Sequence, residues 1–109
     1  MKFPIDIDTF IAVQEELLGE KVTDATREIC EEAVRACNSV YRNTLCGKVT
    51  ENPFSGDVSE RVKELNDRDG VTDDPDTLAS IIEIMTVLFS WGTLAYEQGL
   101  QDMRKEATA

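Results

Sequence analysis

Apolar residues recur at spacings of three and four along most of this chain, the period of a helix rather than of a strand. The longest such run starts at Asp74-Pro75. Asp74 suits an N-cap, and Pro75 suits a first helical position, where its missing N–H is not needed. No proline follows, so the pattern predicts one helix from Pro75 to about Lys105. Its polar residues Glu83, Thr86, Ser90, Thr93, Glu97, Gln101 and Arg104 fall within an arc of only about 80°. Most of the remaining girth between Leu78 and Met103 is apolar. A helix of that kind is expected to be covered on several sides, with Ile82, Leu88 and Phe89 buried.

Three more helices are predicted upstream. Asp6 or Asp8 caps the first, which ends near Gly19 and carries Phe10, Val13, Leu17 and Ile11, Leu18 at helical spacing. With Asp6 as the cap, Ile5 and Phe10 occupy the positions of a hydrophobic staple. Thr23 caps the second, and Gly47 stands where a left-handed C-terminal residue is expected. That helix has one apolar row of Ile29, Ala33, Ala36 and Val40, and another of Cys30, Val34, Cys37, Tyr41 and Leu45. Residues 48–56 read as loop, with Phe54 tucked inward. Asp57 with Glu60 three residues on opens a third helix, whose inner face is Val58, Val62 and Leu65 and which ends by Gly70. The fold class is therefore all-α: a compact bundle of about four helices around a long C-terminal central helix, in a single helical domain over residues 1–109.

Charge changes the picture of partners. The chain has 22 Asp and Glu against 11 Lys and Arg, a formal net charge of −11 over 109 residues. Such a chain repels nucleic acid and anionic membranes, whose binding depends on neutralising phosphate. The expected partner is a protein with a basic surface, with no direct nucleic acid and no membrane. Leu78–Ala95 is near the lower limit for a membrane span, but Glu83, Thr86, Ser90 and Thr93 line one strip of it, which reads as a wet face. The N-terminal MKFPIDIDTF lacks the pattern of a signal peptide, and a cytoplasmic location is expected.

Residues 57–76 hold eight carboxylates against three bases, a net −5. Asp57, Glu60, Glu64, Asp67, Asp69, Asp73 and Asp76 are the candidate partner-binding surface. Asp67-x-Asp69-Gly70 does not make a calcium loop: with Gly70 at the sixth position, Leu65 falls at the first and Asp76 at the twelfth. Glu28-x-x-Glu31 and Glu64-x-x-Asp67 resemble the magnesium-holding fragments of the all-α nucleotide pyrophosphatases of the MazG type. That resemblance implies an alternative function, magnesium-dependent pyrophosphate release from nucleoside triphosphates. The second fragment departs from the family pattern, since Arg68-Asp69-Gly70 interrupts the apolar helix that should follow.

With no histidine, the usual base for nucleophilic catalysis is missing, and Cys30, Cys37 and Cys46 read as reduced thiols in the protein interior. No cofactor is expected. Gly92, Ala95 and Gly99 lie within about 60° of one another on the long helix, which predicts close approach by another helix, from this chain or from a second copy. The function expected is that of a small acidic, non-catalytic interaction protein. A phage or mobile-element inhibitor that lays carboxylates into the basic groove of a nucleic-acid-processing protein has this character. A homo-oligomeric structural component is the second alternative.

Overall fold

A computed structural model describes residues 2–108. Four helices follow in order: α1 (Ile7–Leu18), α2 (Asp24–Leu45), α3 (Val58–Asp69) and α4 (Pro75–Thr108). No strand occurs among the described residues. The helix ends are set locally. Asp6 accepts from the Thr9 N–H at 3.0 Å, and Ile5 and Phe10 are both buried beside it, forming the expected staple. Thr23 accepts from the Thr26 N–H, Asp57 from the Glu60 N–H, and Asp74 from the Thr77 N–H at 3.3 Å. Bonds from Thr9 and Thr77 hold the Asp6 and Asp74 carboxyls below their usual range. Gly19 and Gly70 end α1 and α3 with φ of 68° and 64°, a left-handed conformation that a side chain would strain.

α4 is the helix on which both α2 and α3 pack, while α1 lies against α2. α2 runs in the same direction as α4: Ile29 lies near Ile84 and Leu88, and Tyr41 reaches Asp102. No Cα of α3 comes within 8 Å of one in α2. The result is a slab of 52 × 32 × 17 Å, thin for a bundle of helices each about 10 Å across.

The core sits where α1, α2 and the C-terminal half of α4 meet. Phe10, Cys30, Val34, Cys37, Tyr41, Trp91 and Ala95 are buried there. Phe3 and Ile5, which precede α1, are buried as well. Asn38 holds this leading segment, accepting from the Ile5 N–H and donating to the Ile5 carbonyl, both at 2.8 Å.

Burial departs from the sequence pattern in one consistent way. Ile82, Leu88 and Phe89 are half-buried rather than buried, and Ile84, Val87 and Leu94 are exposed. Leu17, Leu18, Ile29, Ala36 and Leu65 are also exposed, although each lies on a predicted inner face. The reason is a shortage of neighbours. α1 has only 12 residues and covers α2, and α2 and α3 stand apart, so the N-terminal half of α4 keeps an open side.

Candidate interaction site

The acidic surface is built on α3. At about 100° per residue, Asp57, Glu60, Glu64 and Asp67 share an arc of roughly 80°. All four are exposed, and buried Val62 lies on the opposite side, toward α4. Asp69, Asp73 and Asp76 continue the exposed negative surface through the turn into α4. Asp69 is paired with Arg68, at 3.1 and 3.2 Å to the two carboxylate oxygens. Both partners face water, so this pair contributes little to stability.

The four residues of the magnesium alternative are not brought together within one copy. Glu28 and Glu31 lie on α2, Glu64 and Asp67 on α3, and no Cα pair of these two helices lies within 8 Å. Glu31 pairs instead with Arg27, at 3.2 Å. Among the described residues, no group of three or more Asp, Glu, Cys or His has the proximity to hold a metal ion. Burial pushes the Cys37 thiol up to about 11 and raises that of Cys30, keeping both protonated. Cys46 is exposed, contrary to the expectation of an interior thiol.

The small-residue stripe is occupied from within the chain. Gly92 lies directly beneath the Phe54 ring, which stacks edge-on against Phe89. Ala95 is fully buried. A Cβ at Gly99 would stand 2.8 Å from Thr44 Cβ and 3.0 Å from the Tyr41 carbonyl oxygen. Thr44 has no exposed surface and Tyr41 offers backbone, so neither yields easily. Overpacking costs about 1–3 kcal/mol, and the helix propensity of alanine returns about 1 kcal/mol. Gly99→Ala is thus expected to lower stability by up to about 2 kcal/mol, and Gly99→Val by more, in urea denaturation. A stabilised Gly99→Ala would show that α2 and α4 separate freely here.

Sequence reasoning missed the polar lock beside this contact. The Tyr41 hydroxyl donates to Asp102 at 2.6 Å, and Gln98 donates to the other oxygen at 2.9 Å. The bond to Asp102 raises the Tyr41 phenol to about 12 and lowers the Asp102 carboxyl. The signal available was weak: Tyr41 sits on an apolar row of α2, but its partner Asp102 is 61 positions away among other polar residues.

It also missed an open slot between α2 and α3. Its floor is α4, through Met85, Leu88 and Phe89. The α2 side, with Ile29, Glu32 and Ala36, encloses about 360 Å³. The α3 side, with Arg61, Leu65 and Arg68, encloses about 470 Å³. Around the N-terminal end of α2 the apolar surface continues into a groove of about 260 Å³ lined by Leu18, Ile29, Ile84 and Val87. α4 is also long and apolar enough to cross a membrane, and only 17% of its most apolar stretch is buried in this fold.

Comparison with protein-family models, with curated proteins and with solved structures finds no match to this chain. Function therefore rests on these surfaces alone.

Proposed function

We propose that this chain is a small, non-catalytic interaction protein that docks the outer face of α3 onto a basic protein surface. The favoured partner is a nucleic-acid-processing protein with a positively charged groove, and the corresponding role is that of an inhibitor encoded by a phage or mobile element. The observation that supports the reading is the sorting of charge on α3. Val62 is buried on the side toward α4, and Asp57, Glu60, Glu64 and Asp67 stand together on the side that faces water. Carboxylates so arranged cannot be buried without partners, and a basic groove supplies them. The cytoplasm, where such enzymes work, is the compartment this role requires.

Docking of this kind is fast, salt-sensitive and competitive with nucleic acid. The test is affinity for a candidate partner from low to high salt, with and without a DNA or RNA competitor. Replacing Asp67, Asp69 and Asp73 together by Lys changes the local charge by six and is expected to weaken binding at least about a hundredfold while leaving helix content unchanged. Binding that ignores salt, competitor and the triple reversal would sink the electrostatic reading.

A further inference from the structure

We propose that the groove between α1, α2 and the N-terminal half of α4 binds a small apolar cation that carries an acceptor oxygen at the end remote from its charge. The site lies apart from α3, whose acidic face plays no part in it.

Three helices build the groove. Phe10, Gln14 and Leu18 follow one another at intervals of four on α1, so they share one side of that helix. Ile29 joins them from α2, and Ile84 and Val87 from α4. Phe10 is buried at the inner end, whereas Leu18, Ile29, Ile84 and Val87 are exposed by 39% to 62%. Four of the eight large apolar side chains that the described residues expose therefore meet around one groove. It encloses about 260 Å³, room for on the order of nine non-hydrogen atoms at the roughly 30 Å³ that a water molecule occupies. That is the size of one small molecule. It falls well short of a partner helix, which needs a row of anchors over successive turns.

Two polar groups define what the ligand must carry. Gln14 is 7% exposed and lines the groove, and its Nε2 is buried without a hydrogen-bond partner. Buried donors are nearly always paired, so this amide marks a place where an acceptor belongs. The last torsion of a glutamine side chain is broad, which lets the amide turn its donor edge toward an acceptor in the groove. The Thr26 hydroxyl, also on the lining, is already bonded to that of Thr23 at 2.9 Å. Glu83 is the one charged side chain among the described residues that line the groove, and it is exposed at the mouth. Its charge, on a chain of −11, favours a cation there and disfavours an anion. A buried donor and an exposed carboxylate thus select the two ends of one ligand, with apolar walls between them.

Tyramine has this form, with a phenol oxygen at one end and an ammonium at the other, and serves as the probe. Phenethylamine lacks the oxygen, 4-ethylphenol lacks the charge, and 3-(4-hydroxyphenyl)propionate reverses it. Each is titrated into the full chain at physiological salt and followed by proton–nitrogen NMR. Tyramine is expected to saturate with a Kd on the order of 1 mM or tighter, shifting the Gln14 side-chain amide and the Ile29 and Ile84 backbone amides, while the propionate does not bind. Gln14→Met removes the unpaired amide at similar size. It should fold, weaken tyramine at least about fivefold and leave phenethylamine unchanged. Glu83→Gln alters an exposed residue and should weaken tyramine and phenethylamine alike, by about threefold or more, without affecting 4-ethylphenol. Circular dichroism confirms that each variant is folded. Replacing Asp67, Asp69 and Asp73 by Lys should leave tyramine binding in place, so that failure of this site and failure of the acidic docking face read separately. No saturable binding of tyramine, phenethylamine or 4-ethylphenol would overturn the proposal. So would tyramine binding that neither Gln14→Met nor Glu83→Gln weakens. Groove signals that move with protein concentration alone would overturn it in favour of a second copy, and shifts caused by neutral phosphatidylcholine vesicles in favour of lipid.

Discussion

Phe10→Ala is expected to lower the free energy of unfolding by about 3–5 kcal/mol. Phe10 is only 2% exposed. Its ring stands 5.1 Å from that of Trp91, tilted by 59°. The same side chain closes the staple with Ile5 at the start of α1. Truncation therefore leaves a cavity between α1 and α4 and loosens the helix entry together. Marginal stability makes such a loss decisive, because a domain of this size holds only about 5–15 kcal/mol in total. Urea denaturation followed by circular dichroism measures it. A loss below about 1 kcal/mol would mean that α1 is not part of the cooperative unit.

Asn38→Leu is expected to cost about 2–4 kcal/mol despite making the core more apolar. The Asn38 amide satisfies both backbone groups of Ile5, and all of these atoms are buried. Leucine is close in size but leaves an N–H and a carbonyl without partners, at about 1–3 kcal/mol for each buried group. The readout beyond stability is amide hydrogen exchange at Ile5. It should accelerate in Asn38→Leu to the rate of a frayed terminus while α2 and α4 stay protected. Unchanged protection at Ile5 would show that packing of Phe3 and Ile5, not the amide, fixes the leading segment.

The parts of the fold that depend on near neighbours in sequence were legible. Thr23, Asp57 and Asp74 cap the helices the sequence assigns them, and Asp6, one of two candidates, caps α1, because a cap is decided within three residues. The spacing of Asp57, Glu60, Glu64 and Asp67 likewise places four carboxylates on one side of α3 before any packing is known. What the pattern could not convey was which apolar faces are covered. The apolar girth of α4 predicts burial, but periodicity reports only that a face avoids water, not what covers it. Within this chain the cover reaches Trp91, Gly92, Ala95 and Gly99 and stops short of Ile84 and Val87. The leading segment escaped for a different reason. Asn38 lies between Cys37 and Tyr41 on α2, and nothing local says that a polar residue there serves a backbone 33 positions away.

The parallel course of α2 and α4 bears on how the chain reaches this state. α1 with α2, and α3 with α4, are each joined by short connections and pair at little cost in chain entropy. The seam between the two pairs is different: Tyr41 with Asp102 closes over 61 positions, and Phe10 meets Trp91 across most of the chain. Docking of the two helix pairs is then expected to be the slow event, because contacts distant in sequence close the largest loops. Substitutions on the seam, at Gly99 or Trp91, are therefore expected to slow folding as well as to lower stability, which stopped-flow refolding measures.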